Sequence, residues 1–192
     1  MVKAVIFDRD ATLNETTQIL RSGQKAGDKT DGYVLAKEEL KLFPAVQTAM
    51  QKLRQHGITP FVFTQQNSIG KGLTTKENVD AIHQHMNDIL GDDGKIEAYY
   101  VAWQVPYAEL DPRAKPSPAM ILEILNDYGL EKEDVIVIGD SMRDYQSAKN
   151  ADVQYMWVRD DLKRLSEVQM QETDCPVFDN VLEAVDHILN HK

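Results

Sequence analysis

The chain has 192 residues, with 21 Lys plus Arg against 31 Asp plus Glu, for a formal charge of −10. Hydrophobic residues are 42% and charged residues 27%, a globular balance that excludes disordered, collagen-like and coiled-coil chains. The length suits one domain over residues 1–192, and the acidic balance argues against general nucleic-acid binding. The lone cysteine, Cys175, cannot close an internal disulfide or build a thiolate-rich zinc site. No apolar run approaches the roughly 18 residues of a membrane span. The N-terminus runs directly into Val2-Lys3-Ala4-Val5-Ile6-Phe7, without a signal-peptide pattern. A soluble cytoplasmic protein with no membrane partner is expected.

Short β-branched runs alternate with longer amphipathic segments. The first predicted strand covers residues 3–7. A polar insert with three glycines follows, over about 15–39. Residues 45–55 put Val46, Ala49, Met50 and Leu53 on one helical face, and His56-Gly57 reads as the end of that helix. A second strand is predicted over 59–63. A helix over 75–90 carries Val79, Ile82, Met86, Ile89 and Leu90 as its apolar stripe. A third strand covers 98–102, then a second insert over 104–115 contains Pro106 and Pro112. Ser117 and Pro118 read as N-cap and first position of a helix through Tyr128, stopped by Gly129. The run Val135-Ile136-Val137-Ile138 shows no polar alternation, as expected for a strand covered on both faces. A helix over 142–149, a strand over 154–158 and helices over 161–169 and 181–189 complete the chain. Strands alternating with helices imply an α/β, three-layer, Rossmann-like parallel sheet. Ligands bind such sheets at the carboxyl ends of the strands. Both inserts leave that edge and could cover a site there.

Four groups stand at those strand ends. The first strand runs into Asp8-Arg9-Asp10-Ala11-Thr12, and the fourth into Gly139-Asp140-Ser141-Met142-Arg143-Asp144. The second runs into Thr64-Gln65-Gln66-Asn67, and Lys115 precedes the helix begun at Ser117. In a parallel sheet all four converge on one rim. Crowded carboxylates resist ionisation unless a cation sits between them. Hard oxygen ligands suit Mg²⁺. A hydroxyl and a lysine beside that cation make a place for phosphate oxygens. Together these parts fit phosphoryl transfer through an aspartyl-phosphate. Each piece alone has an ordinary explanation: Asp-x-Asp as a solvated turn, Asp140 and Asp144 as a helix cap and a first-turn acid. Their joint order, each after its own strand, carries the argument.

With these residues the sequence resembles the haloacid dehalogenase (HAD) superfamily, in particular subclass IIIA phosphatases without a separate cap domain. Gly32-Tyr33-Val34, the stretch from Thr64 to Gly72, and Lys115-Pro116-Ser117-Pro118 are similar to the heptose-bisphosphate and histidinol-phosphate phosphatase group. The resemblance implies a HAD fold and a Mg²⁺-dependent phosphatase acting on a small phosphorylated metabolite. It implies Asp8 as nucleophile and Asp10 as general acid and base. It implies Mg²⁺ held by the Asp8 carboxylate, the Asp10 backbone carbonyl and the Asp140 carboxylate. Thr64, Gln65 and Lys115 would bind the phosphoryl group, with Asp144 orienting Lys115 or a metal-bound water. The donor role of Asp10 further requires neighbours that disfavour its anion.

The chain departs from that group in four places, one of them a polar insert over 15–31 that is longer than expected there. Ala11 stands where glycine is usual and adds strain if the position needs φ > 0. No Cys or His lies between Tyr99 and Lys115, so the zinc loop is absent. Ala114 stands in place of the arginine before the lysine, with Arg113 one residue earlier.

Two other classes share parts of this pattern. A phosphate-accepting receiver domain also has an acidic Mg²⁺ site, a Thr and a Lys, but its Lys follows the last strand, whereas Lys115 precedes Gly139-Asp140. A 3′-phosphatase on nucleic-acid ends conflicts with the charge of −10 and the missing basic stripe. Outside the motifs, His83 and His85 read as a solvent-exposed pair on different helix faces. Arg9 and Arg143 read as contacts to a substrate anion or as charge compensation. Trp103 and Tyr107 read as pocket lining or loop packing, Trp157 as core and Cys175 as a buried or half-buried side chain.

Overall fold

The computed structural model describes residues 1–16, 32–103, 111–159 and 173–191. Its centre is one parallel sheet of six strands in the order β3-β2-β1-β4-β5-β6. These are β1 (Ala4–Phe7), β2 (Thr59–Gln65), β3 (Tyr99–Ala102), β4 (Val135–Gly139), β5 (Gln154–Val158) and β6 (Val177–Phe178). The helices are α1 (Val46–Gln55), α2 (Asn67–Gly70), α3 (Lys76–Leu90), α4 (Ala119–Tyr128), α5 (Met142–Asn150) and α6 (Val181–Asn190).

The unbroken apolar runs follow from burial on both faces. Side chains alternate along a strand, so Val5, Phe7, Ile136 and Ile138 point to one side and Ala4, Ile6, Val135 and Val137 to the other. The first side meets α1, α3 and α6 through Met50, Leu53, Ile82, Met86 and Val185. The second meets α4 and α5 through Met120, Ile121, Ile124 and Ala148. Each Val, Leu, Ile, Phe or Met side chain among them contributes about 1.5–3 kcal/mol when taken out of water. Trp157 lies wholly within the second layer, as its sequence position suggested, and its indole N–H donates to Thr173 Oγ1 at 2.8 Å.

Helix ends follow local chemistry. Thr75 caps α3 by accepting from the Asn78 N–H, and Asn180 caps α6 by accepting from the Glu183 N–H. Ser141 and Asp144 form a reciprocal capping box at α5. Gly129 closes α4 at φ 60°. The expected cap at Ser117 lies one residue before the observed N-cap, Pro118, and Ser117 Oγ accepts from the N–H of Ala119, the first residue of α4.

The expected elements recur with ends moved by a residue or two. The largest change is β2, which continues through Gln65 and so carries Thr64 within the strand. Strand β6 and helix α2 were not expected, being too short to show a period. The expected helix over 161–169, most of the first insert and residues 104–110 of the second lie outside the described residues. No described helix is long and apolar enough to cross a membrane.

The turn after β1 is tight. Leu13 and Asn14 N–H groups both donate to Arg9 O, and the Ala11 N–H donates to Asn14 O. This places Ala11 at φ 65°, the left-handed region, with its side chain buried. A Cβ there costs about 1–2 kcal/mol. Glycine would give back about 0.5–1 kcal/mol through its looser unfolded chain. Ala11→Gly is therefore expected to stabilise the protein by up to about 1 kcal/mol. A higher urea midpoint with unchanged slope is the predicted result; a lower midpoint would show that the turn tolerates the methyl without strain.

Candidate active site

Strands β1, β2 and β4 are neighbours, and their carboxyl ends reach the same level. Phe7 pairs in register with Val62 on one side and with Ile138 on the other. The Asp8 N–H extends that ladder to Ile138 O at 2.9 Å. Asp8 therefore leaves the centre of the sheet beside Asp140, which follows β4, and beside Thr64 of β2.

Carboxylate oxygens of Asp8, Asp140 and Asp144 lie within 4.8 Å of one another, and all three residues are buried. Lys115 Nζ stands among them, 2.6 Å from Asp8 Oδ1 and 2.6 Å from Asp144 Oδ1. The same ammonium lies 3.6 Å from the centre of the Phe63 ring. Asp144 is fixed from its other oxygen, where Oδ2 accepts from the Ser141 N–H at 3.0 Å and hydroxyl at 2.5 Å. Asp140 Oδ1 accepts from Thr12 Oγ1 at 3.3 Å. Gly139 makes the close approach possible. A Cβ at that position would stand 2.8 Å from Asp144 Cβ and 2.9 Å from its Oδ2.

The electrostatics follow from burial and pairing. Burial pushes the Asp8 carboxyl up, Lys115 pulls it down and Asp144 pushes it up again, leaving it at about 6. Burial alone would lower Lys115. The Asp144 and Asp8 charges outweigh it, so its pKa lies above the ordinary lysine value and it stays an ammonium.

Asp10 belongs to a different cluster. Burial raises its pKa, but the Arg9 charge and hydrogen bonds from Arg9, Gln66 and Asn14 outweigh burial, and its carboxyl lies below the usual range. Arg9 Nη2 donates to both carboxylate oxygens at 2.9 Å. Gln66 Nε2 donates to Oδ2 at 2.8 Å and Asn14 Nδ2 to Oδ1 at 3.1 Å. The expectation that its neighbours disfavour the Asp10 anion is therefore corrected. The resting site holds Asp10 ionised.

A cavity of about 430 Å³ joins these groups. Asp8, Thr64, Gln65, Lys115, Asp140 and Asp144 all line it, as does Asp10. Thr16, Tyr33 and Arg143 line it as well. The structure thus brings together every residue singled out for the site. Gln65 reaches it with its amide turned aside, Nε2 donating to Asn67 Oδ1 at 2.8 Å. Gln66 makes the contacts instead: its Nε2 also donates to Thr64 Oγ1 at 2.8 Å. Sequence reasoning missed Gln66 and Asn14. Gln66 had a signal, since it stands two residues after Thr64, the spacing that returns a side chain to the same side of a strand.

Other expectations are refined or overturned. Arg9 is fully buried and compensates Asp10, so it is no surface contact for a substrate anion. His83 is buried rather than exposed: its ring stacks on Tyr99 at 4.2 Å, and its Nε2 lies 3.1 Å from Arg9 Nη1. Arg113 turns away from the cavity, donating to Val101 O at 3.1 Å and pairing with Glu123 at 2.7 Å. Lys71 donates to Tyr33 OH at 2.6 Å. Cys175 is half-buried, as read from the sequence.

Residues 7–152 match the family of haloacid dehalogenase-like hydrolases. The chain belongs to that family. The D-glycero-β-D-manno-heptose-1,7-bisphosphate 7-phosphatase of Rhodopseudomonas palustris is 28% identical over 165 residues, covering 78% of this chain and 79% of the relative. The enzyme of the same name from Bordetella bronchiseptica is 28% identical over 153 residues, covering 78% and 76%. Among solved structures, the D,D-heptose 1,7-bisphosphate phosphatase of B. bronchiseptica, complexed with magnesium and phosphate, superimposes with a TM-score of 0.80. It covers all of both chains at 23% identity. The corresponding protein of Burkholderia thailandensis gives a TM-score of 0.64 at 19% identity, covering 97% and 98%. The expected fold class and family thus stand, and the enzyme class read from the motifs, a phosphoric monoester hydrolase, agrees with these relatives.

The burial of His83 has a measurable consequence. Burial and, after it, the Arg9 charge lower its pKa from 6.5 to about 3, with Asp10 partly opposing them. Between those values the unfolded chain takes up a proton that the folded protein refuses. The stability this contributes is complete above pH 6.5 and is lost on acidification, at about 1.4 kcal/mol per pH unit. Asp8 has the opposite sign between its ordinary 3.8 and about 6, where the folded protein takes the proton, so the two offset each other in the wild type. His83→Gln removes only the first. The stability difference, wild type minus variant, is expected to fall as pH drops from 6 to 4. Parallel pH–stability curves for the two proteins would contradict a buried neutral His83.

Proposed function

We propose that this chain is a Mg²⁺-dependent phosphatase of small phosphorylated metabolites, working through an aspartyl-phosphate on Asp8. The observation that carries the proposal is the convergence of Asp8, Lys115, Asp140, Asp144 and Thr64 in one cavity. The relatives named above support the sugar-phosphate class of substrate.

The donor set fits the metal. Asp8, Asp140 and Asp144 present only hard carboxylate oxygens, close enough together to share one small cation. Asp8 and Asp140 would hold Mg²⁺, with the Asp10 backbone carbonyl as a further oxygen and Asp144 beside them on Lys115. The ion would neutralise charge on the phosphoryl group and keep Asp8 ionised. Thr64, Gln65 and Lys115 would hold the phosphoryl oxygens, which requires Lys115 to share its protons with the substrate as well as with Asp144.

In the first half-reaction an Asp8 oxygen forms a bond to phosphorus as the ester P–O bond breaks. The leaving oxygen takes a proton from Asp10. In the second half water attacks phosphorus, Asp10 accepts its proton, and the Asp8–phosphorus link breaks to release phosphate and restore Asp8. The resting Asp10, held ionised by Arg9, suits the second role directly. For the first role it needs a proton after substrate arrives. A phosphate monoester, with a second pKa of about 6, carries one part of the time.

The experiment is a screen of phosphorylated metabolites with Mg²⁺, read as relative kcat/KM, with p-nitrophenyl phosphate as the general probe. Turnover is expected, with sugar monophosphates and bisphosphates among the better substrates. Asp8→Asn is expected to abolish turnover with the fold intact by circular dichroism; near wild-type rates would rule out covalent catalysis. Chelation by EDTA is expected to stop activity and Mg²⁺ to restore it; persistent activity after exhaustive chelation would remove the metal from the proposal.

A further inference from the structure

Arg9 is the structural key to Asp10, and its far side is held by a residue remote from the cavity. One guanidinium nitrogen, Nη2, serves Asp10 and also donates to Gln66 Oε1 at 3.0 Å. The other, Nη1, faces His83 Nε2 at 3.1 Å. Arginine only donates, so Nε2 must accept, and His83 is the neutral tautomer with its proton on Nδ1. Arg9 Nε finds no acceptor among the described residues. The guanidinium is therefore aimed by its two terminal nitrogens alone. The His83 bond is the one that does not involve the Asp10–Gln66 pair.

His83 itself sits in a stiff frame. Its ring stacks on Tyr99 at an interplanar angle of 11°. Tyr99 OH donates to Asn87 Oδ1 at 3.1 Å, and Asn87 brackets Ile96 by accepting from its N–H at 3.0 Å and donating to its carbonyl at 3.3 Å. Helix α3 thus carries the imidazole and strand β3 stacks Tyr99 against it. A chain of contacts runs from this frame through His83 and Arg9 to the Asp10 carboxylate.

We propose that His83 is a positioning residue for the second half-reaction: it orients Arg9, which fixes the Asp10 carboxylate where it takes the proton of the attacking water. This rests on the role proposed for Asp10 above. Four donor contacts already hold the two Asp10 oxygens in place. Removing the His83 acceptor leaves a buried guanidinium with an unsatisfied N–H, which turns to other acceptors and loosens its grip.

The test separates the two half-reactions. With p-nitrophenyl phosphate the leaving group departs without a proton. Its kcat/KM reports only steps up to that departure, whereas kcat includes hydrolysis of the aspartyl-phosphate. His83→Leu keeps bulk against Tyr99 and removes the acceptor. It is expected to lower kcat about tenfold or more, to lower KM in parallel, and to leave kcat/KM within about threefold. A burst of p-nitrophenolate equal to the enzyme concentration should then precede slow turnover. His83→Gln, whose carbonyl can accept from Arg9, is expected to recover most of kcat. In an Asp10→Asn background His83→Leu should have no further effect.

Equal losses in kcat and kcat/KM, an unchanged kcat, or additive losses in the Asp10→Asn background would overturn the proposal. So would a glutamine variant as impaired as the leucine variant. Wild-type kcat for Asp10→Asn itself would instead remove the base on which the inference stands. The wild-type protein offers an independent check in its imidazole ¹⁵N spectrum. His83 should appear as the Nδ1–H tautomer with Nε2 unprotonated, and an Nε2–H form would overturn the proposal without any variant.

Discussion

Lys115 is a buried cation held at equal distances by two buried acids, and much of the molecule is arranged around that contact. Its two partners come from different places in the sheet: Asp8 from the end of β1 and Asp144 from the first turn of α5. The ammonium therefore ties the approach to α4 to both. Burying three charges is expensive, and the attraction among them repays it only when the geometry is good and the remaining lone pairs are satisfied. Here the remaining needs are met locally. Ser141 serves the second oxygen of Asp144, Gly139 leaves room for that carboxylate, and the Phe63 ring faces the ammonium. Such a cluster is weak as a source of stability and strong as a device for specifying one arrangement.

A second ion pair, between the buried Arg9 and the partly exposed Asp10, lies beside the first and does the opposite electrostatically. Around Asp8 the balance of burial and charge leaves a carboxyl near the middle of the pH range. Around Asp10 the Arg9 guanidinium and two amides hold a carboxylate firmly ionised. Two acids two residues apart are thus set differently, Asp8 by Lys115 before α4 and Asp144 of α5, Asp10 by Arg9 and Asn14 of the turn after β1 and Gln66 just beyond β2. Environment, rather than the Asp-x-Asp motif itself, divides their roles.

The sheet and its site were legible where the physics is local or periodic. The run from Val135 to Ile138 announced a strand covered on both faces, and hydrophilic strand ends announced the rim. The helix stop at Gly129 followed from single-residue chemistry. What was not legible depends on partners far apart in the chain. Arg9 and His83 are 74 positions apart, and nothing local predicts that they meet. The burial of His83 did leave a trace. It stands four residues after Val79 and three before Met86, on the apolar stripe itself, but a polar side chain was read there as a surface one. Strand β6 was invisible because two residues carry no period, and its pairing to Trp157 and Val158 comes only from the assembled sheet.

That small strand has an effect of its own. A parallel sheet stops somewhere on each side, and an outermost strand shows unpaired amides and carbonyls to any passing chain. Among the described residues one margin is β6 with two residues, and the other is β3 with four. So brief a border gives little template for a foreign strand to zip onto. The long, strongly apolar strands lie inside, each flanked on both sides, which guards the folded protein against fibril-like association.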